Sequence, residues 1–202
     1  RSLCNADAGT LYLLDKENQE LKFEIVQNDS LQLKMGGASG MAIDFPNVPL
    51  FVNGEPNSTH VCSKVALSGQ SINLSDVYGA EGELYPGPKE YDAISGYRTK
   101  SMLVLPLKNH ENVIIGVLQL LNAKDLQSGE TIAFAEEFEE LIASLASQAA
   151  VALTNAQLIE DLNKLFYAFI RGIATAIDEK SPYTGGHINR VVKLSMMLAE
   201  QI

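Results

Sequence analysis

A chain of 202 residues can hold one domain of common size and an appendage. Hydrophobic residues make up 46% and charged residues 20%, which supplies a core and excludes wholesale disorder. A formal charge of -10 excludes a surface built for nucleic acid or anionic lipid.

The two cysteines, Cys4 and Cys62, lack metal-type spacing and fit a reducing, cytosolic setting. The longest apolar runs, 101–107 and 113–121, fall short of the ~20 residues of a membrane helix, so no membrane insertion is expected. The chain opens on Arg1 with no apolar leader. The expectation is a segment of a larger cytoplasmic protein.

The run 10–15 (TLYLLD) is rich in strand formers, and 21–27 (LKFEIVQ) alternates with period two. The intervening ENQ reads as a hairpin connection. The glycine-rich 35–40 (MGGASG) lacks the spacing of a nucleotide-binding loop and reads as a turn. A short helix closed by glycine is predicted over 60–69 and a short strand over 71–74. Residues 78–89, with Pro86 and Pro88, read as loop, and 91–96 as one or two helical turns. Two strong strands follow at 101–107 and 113–121, joined by the polar turn KNHEN. This interleaving predicts an α+β domain, an antiparallel sheet with helices on its faces.

After Glu130 neither glycine nor proline occurs until Gly172, and the pattern is helical. Steps of seven from Phe138 reach Leu145, Ala152, Ile159, Phe166 and Ile173, all apolar. A companion row runs through Leu141, Gln148, Asn155, Leu162, Phe169 and Ala176. The repeat predicts a parallel homodimer through the 138–176 helix, with Asn155 setting register. Packing on the chain's own sheet is the other reading, and Ile142, Ala149 and Ala156 widen the face enough for both.

The opening ADAGTLYLLD (6–15) and the block from NLSDVY to LLNAKD (73–125) closely resemble the GAF domain family. With the closing helix the resemblance covers about 1–157. It implies a six-stranded antiparallel sheet, a small-molecule cavity on one face and dimerising helices on the other. The polar contacts that it implies fall on Asn73, Asp76, Tyr91, Asp92, Arg98, Thr99 and Ser101, each equally readable as a solvated loop residue. Members in cyclic-nucleotide phosphodiesterases carry Asn-Lys, then Phe, three residues and Asp-Glu. Laid on that signature, Asn122 and Glu137 fit, while Ala123, Ile132 and Glu136 replace the lysine, phenylalanine and aspartate. Without the lysine, cyclic AMP or GMP is not the expected ligand. Cys62 could serve a bilin or be a small buried core residue, and neither His60 nor His110 is placed for haem.

The run 165–202 holds AID, then KSPYTGGHINRV, and resembles the start of the HD-GYP family of metal-dependent cyclic di-GMP phosphodiesterases. The resemblance makes 158–184 a connector helix and break, and 185–202 the first helix of that domain. His187 matches the family's first metal ligand. Tyr183, where some members have glutamate, favours two metal ions of the iron or manganese type over three. The residues agree with the resemblance: Thr184 can cap a helix starting near Gly185, and Val191, Leu194 and Leu198 continue the face of His187.

The sequence thus reads as the sensing and dimerisation module of an HD-GYP signalling phosphodiesterase, with no catalytic residues or cofactor of its own. A non-catalytic HD scaffold and a different HD nucleotide phosphohydrolase remain as alternatives for the adjoining output.

Overall fold

The computed structural model describes residues 5–180 together with Arg190, Val191, Lys193, Leu194 and Met197. Strands β1 (Ala6–Asp15) and β2 (Glu20–Asn28) pair antiparallel through a locally encoded turn. There the Asp15 carboxylate accepts the N–H groups of Glu17 at 3.0 Å and Asn18 at 3.1 Å. Next come β3 (Leu33–Gly36), β4 (Val48–Pro49), β5 (Phe51–Val52) and β6 (Glu55–Pro56). None of these four is legible in the sequence, because two to four residues establish no period.

Helix α1 (Val61–Ser68) ends on Gly69, whose φ of 67° is the left-handed stop the sequence implied. After β7 (Ile72–Leu74), helix α2 spans Gly87–Ser95 and begins earlier than expected. Pro88 sits in its first turn, where a missing N–H leaves no helical bond unmade. Strands β8 (Met102–Lys108) and β9 (Ile114–Lys124) form the predicted hairpin. Its turn is built by the Asn109 side chain, which accepts the N–H groups of Glu111 and Val113. The two-residue β10 (Thr131–Ile132) and the 45-residue helix α3 (Glu136–Lys180) complete the order.

The main path of the sheet is β3-β2-β1-β9-β8-β7, six strands, every neighbouring pair antiparallel. Strand β4 adds to β2, and β10 adds to β9. Alternation sorts the side chains onto two faces. Ala8, Tyr12, Met102, Val104, Val117 and Leu121 form one core with Val61 and Val65 of α1. Leu103, Leu105 and Leu120 form another with Phe134 and Ile142.

The chain divides into two compact units, Arg1–Thr154 and Asn155–Ile202. In the first, α3 settles the two readings of its apolar rows. Ile142 and Ala146 are buried at 5% and 4% exposure, whereas Phe138, Leu141 and Leu145 stay 40%, 47% and 39% exposed. Sheet packing therefore uses one stripe and leaves the seven-residue row free. In the second unit Leu158, Leu162, Leu165 and Phe169, at spacings of four, three and four, are all exposed. By length and composition α3 over Glu136–Ile177 could cross a membrane, with a window of mean hydropathy 1.3. The short-run reading missed this because serine, glutamine and asparagine interrupt the apolar residues without lowering the mean enough. Only 12% of that window is buried, so packing of Ile142 and Ala146 on the sheet accounts for a small part of its hydropathy.

Strands β1 and β9 approach closely at Gly116, where an added Cβ would stand 2.2 Å from the Tyr12 carbonyl oxygen. A side chain there must push the two central strands apart. Gly116→Ala should cost about 3 kcal/mol, the upper end of overpacking. The check is the urea midpoint at unchanged slope, and a midpoint equal to the parent's would refute it.

Candidate functional site

One face of the sheet carries a cavity of about 460 Å³, within the size range of small-molecule sites. Its floor comes from β1, β2, β8 and β9, through residues such as Thr10, Tyr12, Val26, Met102, Gln119 and Leu121. Two segments cover it. The first, Phe45–Pro49, leads into and includes β4, and the second is α2 from Gly87 to Ile94. Phe45 meets Phe23 edge-on at 5.5 Å between ring centroids, and Phe23 meets Tyr12 at 4.8 Å. Asn47 ties the first segment to β2 by donating to the Glu20 carboxylate at 2.7 Å. The second is seated because Gly87 lacks a side chain: a Cβ there would lie 2.4 Å from His60 Nδ1.

Burial pushes the Cys62 thiol up to about 12. It is an unreactive core thiol at the cavity wall. Burial likewise lowers His60, so its ring is neutral at pH 7 despite the nearby Glu90 carboxylate.

Of the seven residues expected to supply polar contacts, Tyr91 and Thr99 line this cavity. The other five, outside the lining, show polar or stacking contacts with the protein itself. Asn73 donates to the Phe134 carbonyl at 3.1 Å, and Asp76 accepts the Tyr78 N–H at 2.9 Å. Asp92 accepts from the Thr99 N–H and hydroxyl, both at 2.7 Å, and from the Tyr78 hydroxyl at 2.9 Å. Arg98 stacks on the Tyr78 ring with its guanidinium carbon 3.3 Å from the centroid. Ser101 donates to the Ile132 carbonyl at 2.6 Å. The expected His187 lies outside the described residues.

Sequence reading missed Phe45, His60 and Gln119 as cavity residues. Gln119 carried a usable trace, a polar residue in phase with Val117 and Leu121 in a strong strand. The nucleotide signature also changes register. Phe134, 4% exposed, is the buried aromatic before α3, whereas Ile132 is 45% exposed. Anchored on Phe134, the acidic pair falls on Phe138 and Glu139, so lysine and aspartate are both absent. Lys124, one residue beyond the lysine position, pairs with Asp7.

That pair belongs to a buried network behind the cavity. The Asp7 carboxylate, 3% exposed, accepts from Lys124, from the Tyr97 hydroxyl at 2.8 Å and from the Ser30 hydroxyl at 2.9 Å. The Tyr97 hydroxyl in turn accepts from the Asn122 amide at 2.9 Å. Asn122, at φ 54°, also donates to the Arg98 carbonyl and accepts the N–H groups of Lys100 and Ser101. The connection from α2 to β8 is thereby fixed to β1 and β9.

A six-stranded antiparallel sheet with a covered cavity on one face and a helix on the other defines a small sensory domain. Residues 1–153 match the family model of the GAF domain, and the chain belongs to that family. Over 102 residues it is 35% identical to the dual 3',5'-cyclic-AMP and -GMP phosphodiesterase 11 of Drosophila melanogaster. Over 114 residues it is 32% identical to phosphodiesterase 11A of Takifugu rubripes, also dual for cyclic AMP and GMP. These matches take in 50% and 55% of this chain but 6% and 12% of those proteins. The GAF domain of an Acinetobacter phosphoenolpyruvate-protein phosphotransferase superposes with a TM-score of 0.54 at 17% identity, over 79% of this chain and 78% of that one. A Coxiella burnetii counterpart gives 0.53 at 19%, over 77% and 76%. At these identities the solved structures share the fold.

Burial raises the Asp7 pKa, but hydrogen bonds from Lys124, Tyr97 and Ser30 outweigh it and hold it below the ordinary 3.8. A carboxyl lowered on folding confers stability that is complete above pH 3.8 and lost as pH falls further. Asp7→Ala should cost about 3 kcal/mol, since it strands Lys124 and the Tyr97 hydroxyl. It should also flatten the decline of stability below about pH 4. Denaturant titrations at pH 7 and pH 3 check both, and an unchanged acid slope would contradict the assignment.

Proposed function

We propose that the chain is the small-molecule-sensing and dimerisation module of a cytoplasmic signalling phosphodiesterase. The observation that carries the sensing part is the covered aromatic cavity in a GAF domain. The phosphodiesterase context is supported by the two curated relatives, which are themselves phosphodiesterases. For the adjoining output we infer an HD-GYP domain hydrolysing cyclic di-GMP, from the run KSPYTGGHINRV, with His187 as its first metal ligand. Among the described residues no group of three or more His, Cys, Asp or Glu could hold a metal ion. The chain's own residues enclose a ligand, hold the loop beside it and present an apolar helix.

The dimer follows from the helix. Phe138, Leu145, Ile159, Phe166 and Ile173 keep the seven-residue row and are all at least 39% exposed. A second copy in parallel would cover them, with both outputs at one end.

Mass spectrometry of small molecules released from the protein purified from its native host should identify a cavity ligand that Phe45→Trp, which fills the space, no longer retains. No difference between the two proteins would count against sensing. Light scattering at tens of micromolar, roughly the range where a modest seam is filled, should give twice the chain mass. Leu145→Glu with Ile159→Glu should give a monomer. The parent protein should hydrolyse cyclic di-GMP in a metal-dependent way, and hydrolysis of cyclic AMP or GMP alone would instead favour the output of the curated relatives.

A further inference from the structure

The cavity offers ligands a specific electrostatic environment. Among the described lining residues there is no lysine or arginine, and the charged side chain present is Glu90, at the exposed edge. His60 is held neutral by burial. Cations on neighbouring segments are engaged elsewhere, Lys89 and Arg98 over the Tyr78 ring, Lys124 on Asp7 and Lys100 on the Thr131 carbonyl. Two helices begin at the cavity, and the first N–H groups of α2 are engaged within the protein. At α2 the Gly87 N–H goes to the Thr59 carbonyl, Pro88 has none, and those of Lys89 and Glu90 return to Pro86. At α1 the Lys64 N–H goes to the His60 carbonyl. An anionic group entering here would lose its hydration and meet no cationic side chain in the lining.

What the cavity supplies is an aromatic wall and four carboxamides, of which Asn28 and Asn47 hydrogen-bond within the protein while the side chains of Gln27 and Gln119 have no such bond among the described residues. Tyr12, Phe23 and Phe45 form a continuous ring cluster. On the floor, the Gln119 side chain is half-buried and has no hydrogen-bond partner among the described residues. Its cross-strand neighbour on β1 is Thr10. A half-buried carboxamide without a partner presents one acceptor and two donors side by side. Its complement is a ring edge with adjacent donor and acceptor, such as a lactam or an aminopyridine-type edge.

We infer that the cavity selects an uncharged planar heteroaromatic molecule, held by Gln119 at its hydrogen-bonding edge and by the Tyr12–Phe23–Phe45 cluster on its face, and rejects the same ring bearing a phosphate. This rests on the sensing function proposed above and names its ligand class.

The test uses the 202-residue chain and matched pairs: adenosine against cyclic AMP, guanosine against cyclic GMP, and the free bases adenine and guanine. Binding is read by saturation-transfer NMR and thermal shift. At least one neutral member should bind, with its phosphate counterpart weaker by about tenfold or more, that is about 1.4 kcal/mol. Gln119→Leu, close in size, should lose the neutral ligand by a similar factor while keeping the parent's melting temperature. If it unfolds instead, Glu90→Lys at the cavity edge provides the second reading: it should strengthen phosphate binding relative to the neutral ligand, and an unchanged ratio overturns the ligand class. A phosphate ligand binding as well as its neutral partner overturns the ligand class while leaving the sensing function intact. So does a folded Gln119→Leu that binds normally. Binding by no member of the panel overturns the ligand class, and only an empty cavity in the native-host mass spectrometry would also remove the sensing function.

Discussion

The buried Asp7 carboxylate is the interaction on which the arrangement depends. It lies at the start of β1, at the centre of the sheet, and gathers hydrogen-bond donors from three distant stretches of chain. Through Tyr97 it reaches Asn122, and Asn122 in turn grips the backbone of residues 98–101. Removing a charge from water is costly, so the carboxylate is stable there only with its donors in place. The connection between α2 and β8, otherwise a loop with two prolines upstream, is thereby held to one geometry. Thr99 reaches the cavity because of it, and α2 is set over the sheet.

Much of this fold was legible because strong strands have strong periods. The hairpins β1–β2 and β8–β9, the glycine stop of α1 and the long helix all follow from local pattern. The cavity was less legible for a physical reason. Its walls come from residues such as Phe45 and Gly87, which sit in polar or proline-rich stretches and acquire meaning only when the chain folds over the sheet. The polar residues that the resemblance points to, Asn73, Asp76, Asp92, Arg98 and Ser101, bond or stack within the protein, Asn73 from β7 and Asp92 from α2. There the nearest donors and acceptors belong to the protein's own backbone and rings. Gln119 shows the opposite case, a polar side chain on the core phase of a strand with no hydrogen-bond partner among the described residues.

The long helix illustrates how one segment satisfies two demands. A repeat of seven and a helical turn of 3.6 residues drift slowly apart, so adjacent stripes can serve different surfaces. Ile142 and Ala146 go to the sheet, while Phe138, Leu141 and Leu145 point away. Sequence periodicity alone reported the sum of the two stripes. Burial separated them.

The cavity's cover is made of segments that carry few of the sheet's hydrogen bonds. Phe45 and Ile94 contribute side chains to the wall, and Ile94 is 88% exposed, so exchanging either leaves the strand ladders whole. The Asp7 network, by contrast, touches the two central strands at once. Mutational tolerance is thus divided within one small domain, with a rigid chassis below and a replaceable roof above. A lineage of such chains could acquire new chemical inputs by drift in the roof alone, without passing through unfolded intermediates.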